Sequence, residues 1–367
     1  MKFFVNQASF SNAINQVARA ISARPTHPIL GCFLVEAKED NLIITGSDLS
    51  IWIKTEIAAE IREEGSICVS ARALVDSINK IPNCDLEIKV NTDETTLNIK
   101  HKTGKFKING VSSAEYATFP SLEESEEISL SAEKLLEGLK SVLFSASSDE
   151  TKQVLTGVNF QYKNEKMCLA TTDGHRLSVF SYESKETINA CTIPAKVLHE
   201  IIKIVKPYSV FQLTFSESIA KIQSDNTTVV FRTLQGNYPN YSQLIPRQFE
   251  RECCISRKQL IETLERVNIM SDSKNNIVKM TFVPDEQKVE LTTENQGVGS
   301  AIDTLNCDFS GSPIVICFNA KYILEALKSL NGEEVRLQMN QELTPVILSK
   351  MGDPDNLRLL MPIQLRQ

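Results

Sequence analysis

The sequence shows neither the long apolar segments nor the paired cysteines that would place it in a membrane or outside the cell, and we expect no leader sequence. No apolar run approaches the roughly 18 residues that a membrane-spanning helix needs. The nine cysteines show neither a disulfide framework nor a CxxC metal-binding spacing, and Cys253 and Cys254 are adjacent. The first residues, MKFFVNQASFSNAI, hold too short an apolar stretch for a signal peptide. We therefore expect a soluble cytoplasmic protein whose thiols are reduced and mostly buried.

Catalytic motifs are also scarce. The sequence has no recognised serine or cysteine nucleophile motif, no glycine-rich phosphate loop and no HExxH pair. The histidines are scattered over distant segments, as His27, His101, His175 and His199. His175 follows Asp173 closely and could suggest an acid–base pair, but the Asp-Gly sequence between them favours a turn. We expect a protein that is not an enzyme and that uses no cofactor and no metal ion.

What the sequence does contain is a threefold repeat with a period of about 125 residues. Three apolar positions at helical spacing, Phe10, Ile14 and Val17, recur at steps of 125. Their counterparts are Leu135, Leu139 and Val142, and then Leu260, Leu264 and Val267. A second segment recurs as CVSARALVDSI, TIPAKVLHEII and CFNAKYILEAL, anchored by Ala71, Ala195 and Ala320. Units this long exceed solenoid repeats, so we predict three globular domains at residues 1–121, 122–249 and 250–367.

The second repeated segment has the pattern of an amphipathic helix. A basic residue follows the anchoring alanine and an acidic residue comes four positions later, in the pairs Arg72/Asp76, Lys196/Glu200 and Lys321/Glu325. Apolar residues at the same spacing form another stripe, in the pairs Leu74/Ile78, Leu198/Ile202 and Ile323/Leu327. Ser70 and Asn319 are predicted N-caps, and Pro194 stands near the first turn of the middle copy. Such a helix is expected to lie on a sheet.

Between the helical segments the apolar pattern changes to a period of two. Residues 51–57 and 95–100 alternate in this way and are predicted to be half-buried strands. Asp173-Gly174 and Asn109-Gly110 suit tight hairpin turns, and the regions around Pro120 and Pro246 mark domain junctions. The expected fold is α+β, with three repeated domains that each pack two helices on antiparallel sheets.

The net charge of −7 argues against a nucleic-acid partner until its distribution is considered. The six repeated helical segments (8–24, 70–80, 131–148, 195–206, 256–274 and 320–331) together carry +7, which leaves −14 on the rest of the chain. Basic helices and acidic strands would give one face that attracts phosphates and one that repels them. Ordinary solvated helix faces are the alternative explanation.

Five segments are distinctive when they are taken together with the repeat. They are MKFFVNQASFSNAINQVARAISARPTHPIL at the start, ATTDGHRLSVF from Ala170, NYPNYSQLIP from Asn237, FNAKYILEAL from Phe318 and LLMPIQL from Leu359. With these segments the chain resembles, over essentially its full length, the bacterial sliding clamps, the beta subunits of DNA polymerase III. The Thr-Asp-Gly-His-Arg-Leu sequence is the most specific part of this resemblance.

The resemblance implies a head-to-tail homodimeric ring of six domains, with helices lining a hole around duplex DNA and sheets outside. Contacts to DNA would be made to phosphates, without sequence specificity. The DNA-facing residues implied are Arg24, Arg72, Lys196, Lys203 and Lys321. The apolar part of the dimer interface implied is Phe106, Ile269 and Met270, for which an ordinary core position is the alternative.

The resemblance also implies a hydrophobic pocket between the second and third domains that binds short peptides. The partners implied are the replicative polymerase alpha subunit, the clamp loader and other proteins that carry a clamp-binding motif. The implied lining is Leu155, Thr172, Gly174, His175, Arg176, Leu177, Pro239, Gln243, Leu244, Asn319, Tyr322, Leu343, Pro345, Val346, Leu359, Met361, Pro362 and Ile363. Gln243 stands where the family often has arginine, and Pro345 where it often has a small polar residue, which bears on peptide preference. The competing hypothesis is a monomeric three-domain adaptor that binds proteins through the Met361 region and never encircles DNA.

Overall fold

The computed structural model describes residues 1–91, 94–122, 126–206, 210–216, 218–271 and 276–364. Six α-helices occur in these ranges, two in each third of the chain. They are α1 (Gln7–Val17), α2 (Ala71–Lys80), α3 (Ala132–Val142), α4 (Ala195–Ile204), α5 (Arg257–Asn268) and α6 (Ala320–Ser329). None of the helices in the described ranges has both the length and the apolar character needed to cross a membrane.

Within the described residues, each third of the chain has one strand before its first helix, four or five strands between its helices and three strands after its second helix. The first third holds β1 (Lys2–Asn6), β2 (Cys32–Lys38), β3 (Asn41–Ser47), β4 (Ile51–Ala58), β5 (Glu60–Glu63), β6 (Gly65–Ser70), β7 (Asp85–Asn91), β8 (Thr96–His101) and β9 (Gly104–Val111). The second holds β10 (Glu126–Ser131), β11 (Gly157–Lys163), β12 (Lys166–Thr172), β13 (Arg176–Glu183), β14 (Cys191–Pro194), β15 (Val210–Phe215), β16 (Ile219–Ser224) and β17 (Thr227–Arg232). The last holds β18 (Arg251–Ser256), β19 (Ile277–Val283), β20 (Lys288–Asn295), β21 (Gly299–Asn306), β22 (Asp308–Ser310), β23 (Ile314–Asn319), β24 (Glu334–Met339), β25 (Val346–Lys350) and β26 (Asp353–Leu360).

The repeated apolar positions form the core, as the sequence predicts. All nine positions of the first segment, from Phe10 to Val267, are buried in α1, α3 and α5. The anchoring alanines of α2, α4 and α6 are buried as well. One position differs, because Ile202 is only half-buried and Ile201 takes the fully buried place. Residues three and four positions after Leu198 lie on the same helix face, so either can fill that place.

The predicted N-caps Ser70 and Asn319 and the predicted free state of the cysteines are both present in the structure. The Ser70 hydroxyl accepts a hydrogen bond from the Ala73 N–H, and the Asn319 side chain accepts from the N–H groups of Lys321 and Tyr322. All nine cysteines are free thiols. Four are buried, namely Cys68, Cys253, Cys307 and Cys317, and the other five are half-buried, so burial is less complete than predicted.

The first compact unit consists of Met1–Glu133 and Val197–Thr233. Its strands form one thirteen-stranded sheet in the order β10-β15-β16-β17-β4-β3-β2-β6-β9-β8-β7-β1-β5. Within this sheet β4 pairs with β17 in antiparallel register, Ile51 opposite Phe231 and Thr55 opposite Thr227. We call this contact the first seam, because it joins strands from two different repeats.

The second compact unit consists of Lys134–Lys196 and Leu234–Gln367. It contains a nine-stranded sheet, β14-β11-β12-β13-β26-β25-β24-β18-β22, and a four-stranded sheet, β21-β20-β19-β23. Here β13 pairs with β26 in antiparallel register, Arg176 opposite Leu360 and Val179 opposite Leu357. We call this contact the second seam. All strand pairs in both units are antiparallel, which confirms the α+β prediction.

The predicted hairpin turn at Asn109-Gly110 is wrong, whereas the turn at Asp173-Gly174 is confirmed. Asn109 and Gly110 lie inside β9, which crosses β6 at this point with Val69 opposite Gly110. A Cβ on Gly110 would be only 2.6 Å from Ile67 Cδ1 and 2.8 Å from the Cys68 carbonyl oxygen. The glycine therefore serves the close approach of two strands and not a turn.

Candidate functional site

The Asp173 turn joins β12 to β13 and is held by its own side chains. The Asp173 Oδ1 atom accepts hydrogen bonds from the N–H groups of His175 at 2.9 Å and Arg176 at 3.1 Å. The Thr172 hydroxyl accepts from the Gly174 N–H and donates to the Arg176 carbonyl. Gly174 has a φ of +94°, a left-handed conformation that side chains disfavour. These contacts are typical of an Asx turn, so the local sequence determines the loop shape.

Arg176 holds this turn against the helices of the second unit. The residue is 8% exposed, and its guanidinium donates to Asp173 Oδ2 at 3.0 Å, to Glu325 on α6 and to the Phe144 carbonyl at 2.6 Å. It also lies over the ring of Tyr322, with its carbon 4.3 Å from the ring centroid. A guanidinium with its donors occupied is an acceptable buried charge. The arginine therefore fixes the relative positions of the turn, α6 and the end of α3.

The C-terminal strand lies beside the turn. After the second seam ends, the Met361 N–H donates to the His175 carbonyl at 2.9 Å, and the Ile363 N–H donates to the Cys317 carbonyl at 2.8 Å. The first bond extends the pairing with β13, and the second ties the chain to β23, so residues 361–363 lie along both sheets of the second unit. The predicted grouping of His175 and Met361 is therefore present.

A buried aromatic and aliphatic cluster supports this surface from below. It contains Ala170, Leu177, Val179, Tyr241, Ile347, Leu357 and Leu359, with Tyr238, Ile245 and Phe249 packed against it. The Tyr238 hydroxyl accepts from the Thr172 N–H at 3.0 Å and so links the segment after β17 to the turn. Burial raises the pKa of Tyr241 to about 12, so this hydroxyl stays protonated in the physiological range.

The predicted pocket residues divide into an accessible group and a supporting group. Leu244, Leu343 and Met361 are exposed large apolar side chains, and Gly174, His175, Pro239 and Gln243 are exposed as well. Leu155, Asn319, Tyr322, Pro345, Pro362 and Ile363 are half-buried. Thr172, Arg176, Leu177 and Leu359 are buried and act from below. Val346 is fully buried in the core under α5 and α6, so its side chain supports the third repeat and does not line a surface.

Several residues of the site lie outside the lining that the family resemblance implies. Lys152 places its Nζ 4.0 Å from the position that a Cβ on Gly174 would take. Glu325, Phe144 and Tyr238 enter through their contacts with Arg176 and Thr172. The repeated acidic position of the second helices was a usable signal for Glu325. No pattern in the sequence indicates Lys152 or Phe144.

Asp173 and His175 do not form an acid–base pair in this arrangement. The Asp173 oxygens accept from two backbone N–H groups and from Arg176, and the His175 ring is stacked on Tyr322 with the centroids 6.5 Å apart. The carboxylate therefore shapes the turn, and the imidazole offers an exposed flat surface. The arrangement suits the capture of an extended peptide with apolar side chains.

The residues predicted to face DNA are exposed, and so are two of the three predicted for the dimer interface. Arg24, Arg72, Lys196, Lys203 and Lys321 are all exposed, although Arg72 is 3.8 Å from Asp76 and Lys203 is 2.9 Å from Glu200. Phe106 is 38% exposed and Ile269 is 74% exposed, so neither is a core residue. Met270 is half-buried.

Family comparisons cover nearly the whole chain. Three models match, described as the N-terminal, central and C-terminal domains of the DNA polymerase III beta subunit, over residues 1–120, 129–240 and 242–364. The chain belongs to the DNA polymerase III beta subunit family. The predicted boundaries at residues 121 and 249 stay a prediction, because the family matches do not define them.

Individual beta subunits agree with this assignment. The beta sliding clamps of Synechococcus elongatus and Bacillus subtilis are 34% and 28% identical to the chain, over 100% and 99% of it and the whole of each relative. The crystal structure of the DNA polymerase sliding clamp from Bacillus subtilis is 27% identical and superposes with a TM-score of 0.95, with both chains covered completely. The beta subunit from the DNA polymerase of Streptococcus pyogenes, 24% identical with a TM-score of 0.93, shares the fold. The chain is thus a sliding clamp of this family, and the adaptor hypothesis is not favoured.

Proposed function

We propose that two copies of this clamp close head to tail into a ring around duplex DNA, where it holds the replicative polymerase alpha subunit, the clamp loader and other motif-bearing proteins. The observation that carries the proposal is the repeated seam. The last strand of one repeat pairs with the fourth strand of the preceding repeat twice within the chain, as β17 with β4 and as β26 with β13. Two strands of these kinds are left over: β9, the last strand of the first repeat, and β21, the fourth strand of the third repeat.

These two strands have free edges among the described residues. β21 is an edge of its sheet and pairs only with β20, and β9 pairs with β6 only at Gly110 and Val111, beyond its pairing with β8. Exposed strand edges readily pair with another chain. Because one edge lies in the first repeat and the other in the third, pairing between copies is heterologous, and we propose that it closes after two copies.

The seams also predict the register of this pairing. The buried pairs Ala220–Phe231 and Val346–Leu360 have the same place in their hairpins as Leu97–Ile108. Phe231 and Leu360 face the first residues of β4 and β13, so Ile108 of one copy should face Gly299 of the other. Phe106 then faces Ala301. Thr293, which pairs with Ala301, donates to the Val267 carbonyl near the end of α5, so Phe106 would approach the end of α5 that Ile269 and Met270 follow, the residues proposed for the interface.

DNA contact is proposed for Arg24, Arg72, Lys196, Lys203 and Lys321. All five are exposed, and Lys196 and Lys321 stand in the first turn of their helices, where the helix dipole adds to their attraction for phosphate. A topological tether needs only weak, exchangeable contacts of this kind. We also propose that the protein acts in the cytoplasm. We propose further that it has no catalytic activity, because the Asp173 carboxylate, which with His175 suggests an acid–base pair in the sequence, is occupied by turn contacts.

The ring is tested by sedimentation of the purified chain and by its retention on DNA. We expect a dimer, and we expect Ile269→Asp with Met270→Asp to dissociate it, since an unpaired charge buried at an interface costs about 3 to 5 kcal/mol. A loaded clamp should stay on a closed circular duplex and leave once the circle is linearised. A monomeric natural chain, or equal retention on both DNA forms, would contradict the proposal.

The peptide site is tested by calorimetric titration of a polymerase-derived peptide. Met361→Ala should weaken binding by about 2 kcal/mol, because a peptide anchor concentrates its energy on a few side chains. Deletion from Met361 onward should abolish binding and leave the dimer intact. Val346→Ala is the control, because Val346 belongs to the predicted pocket but its side chain is fully buried. This variant should reduce stability more than peptide affinity. Undiminished affinity after the deletion would show that the site lies elsewhere.

A further inference from the structure

The two seams share one backbone arrangement but differ in the polar contacts on their helix-facing side. At the first seam, the Thr227 hydroxyl donates to Gln16 Oε1 at 2.9 Å and lies 3.1 Å from the Thr55 hydroxyl. Thr55 and Thr227 are buried, so these bonds satisfy groups that water cannot reach. One side chain from each strand and one from the helix thus complete the first seam.

The second seam fills the same place differently. Ser141 on α3 and Phe180 on β13 stand at the positions of Gln16 and Thr55, and both are buried. The facing residue is Asn356, which accepts from the Ser181 N–H at 2.7 Å and donates to Asp353. No polar link between helix and strand is required here, because an aromatic ring occupies the centre.

The unpaired edge of β21 carries a third arrangement. Arg266 on α5 and Asp303 on β21 have the positions of Gln16 and Thr55, since α1, α3 and α5 are in step and β4, β13 and β21 are all eight-residue strands. Arg266 Nε donates to Asp303 Oδ2 at 2.9 Å, and its NH2 atom is 2.7 Å from the same oxygen. The two side chains are 56% and 33% exposed, beside an open groove of about 320 Å³. Here the helix and the strand already pair with each other.

The strand expected to cover this ion pair is β9 of a second copy, and it has a glycine at the facing position. In the register derived from the seams, the position of Thr227 on β17 corresponds to Gly104 on β9, four residues before Ile108. Glycine has no side chain of its own to compete for Arg266 or Asp303, and the His101 ring lies over this place, with its Nε2 2.8 Å from where a Cβ would stand. The backbone of Gly104 can therefore cover the ion pair without breaking it. Thr227 or Asn356 in the same place would bring a polar side chain that finds no free partner.

We propose that the Arg266–Asp303 ion pair determines which strand β21 accepts, by fitting the Gly104 edge of a second copy and disfavouring strands such as β17 and β26. An exposed ion pair contributes little to stability, but it becomes strong or costly once a partner covers it. The pair therefore acts on the contact between copies. The inference rests on the ring proposed above.

The test is a set of dimer dissociation constants from sedimentation. Arg266→Gln and Asp303→Asn each leave one charge uncompensated under the partner strand and should weaken the dimer by about thirtyfold or more. The double variant Arg266→Gln with Asp303→Thr copies the polar set of the first seam and should recover to within about fivefold of the natural chain. Lys328→Gln breaks a similarly exposed ion pair, with Glu265 at 2.6 Å, away from β21 and should change nothing.

A second measurement tests the fit to Gly104. Gly104→Thr should weaken the dimer about tenfold more in the natural chain than in the Arg266→Gln, Asp303→Thr background. A Cβ at residue 104 would crowd His101 in both backgrounds, so this cost cancels in the comparison. Single variants that match Lys328→Gln, or equal effects of Gly104→Thr in both backgrounds, overturn the inference. A natural chain that sediments as a monomer overturns the ring instead, so the two failures are distinguishable.

Discussion

The turn at residues 47–51 in the first unit and the turn at residues 172–176 in the second have the same backbone and different surfaces. Asp48 Oδ1 accepts from the N–H groups of Ser50 and Ile51, both at 3.0 Å, as Asp173 Oδ1 does from His175 and Arg176. The third residue has a positive φ in both turns, +71° at Leu49 and +94° at Gly174. One repeat thus places leucine where the other has no side chain.

The two units also differ in which arginine pairs with the repeated glutamate of the second helix. Glu200 on α4 and Glu325 on α6 are equivalent acids of the repeat. Glu200 pairs with Arg19, just after α1, at 3.1 Å, whereas Glu325 pairs with Arg176 from the turn itself. The first turn has the apolar Ile51 at the position of Arg176, and it is buried. The comparison teaches that a few side chains convert a structural turn into one that can present a binding surface.

Replacing Arg176 with isoleucine, the residue that the first turn has at this position as Ile51, should have the largest effect, which is on stability. Arg176→Ile leaves Asp173 and Glu325 without their shared guanidinium, whose side chain is 8% exposed, against 15% for Asp173 and 32% for Glu325. We expect the free energy of unfolding to fall by about 3 kcal/mol, the cost of breaking a buried charge network. Urea denaturation measures it. Arg72→Ile, which breaks an exposed pair with Asp76, is the control and should change stability by less than about 0.5 kcal/mol. Equal losses in both variants would show that the network contributes nothing special.

Replacing Gly174 with leucine, the residue that the first turn has at this position as Leu49, should have the next largest effect, which is on peptide affinity. Gly174→Leu places a side chain at a φ of +94° and projects it from the turn into the space where we place the peptide. Peptide affinity should fall by about 2 kcal/mol, roughly thirtyfold, while the dimer persists. Calorimetry and sedimentation of the same sample check both statements. A variant that binds the peptide normally would mean that the Gly174 side of the turn does not face it.

The sequence could predict much of the frame of these turns and less of what they contact. The helix positions, the strands at 51–57 and 95–100 and the Asp173 turn follow from local periodicity and turn chemistry, and the structure confirms them. The grouping of His175, Met361 and Tyr322 required the family resemblance, because these residues are distant in the chain. Local patterns cannot predict Arg358, which lies on β26 and is 2% exposed. Its guanidinium donates to the Ser329 hydroxyl and the Val179 carbonyl, and burial lowers its pKa to about 9.

The reverse exchange, Leu49→Gly, should have a smaller effect of the opposite sign. Leucine at a φ of +71° is strained, and its side chain is exposed, so its removal loses little packing. We expect a gain in stability of about 0.5 to 1 kcal/mol, after the greater backbone entropy of glycine in the unfolded state is allowed for. Thermal unfolding measures the gain. Leu49→Ala keeps the positive φ unfavourable and serves as the control. A loss of stability in Leu49→Gly would mean that Leu49 makes contacts worth more than the strain.

An effect of similar size, but dependent on pH, concerns Glu200 and its partner Arg19, which follows α1. Burial alone would raise the pKa of Glu200, but hydrogen bonds from Lys203 and Arg19 outweigh it and hold the pKa below its usual value of 4.5. An acid whose pKa is lowered in the fold stabilises the fold above its unfolded pKa, and this contribution is lost as the pH falls through the folded pKa. Glu200→Gln should therefore cost about 0.5 to 1 kcal/mol near neutral pH, and the difference from the natural chain should shrink as the pH falls from about 5 towards 3. Urea denaturation at several pH values measures this, with Asp76→Asn as the exposed control. A difference that stays constant with pH would show that Glu200 acts through packing and not through its charge.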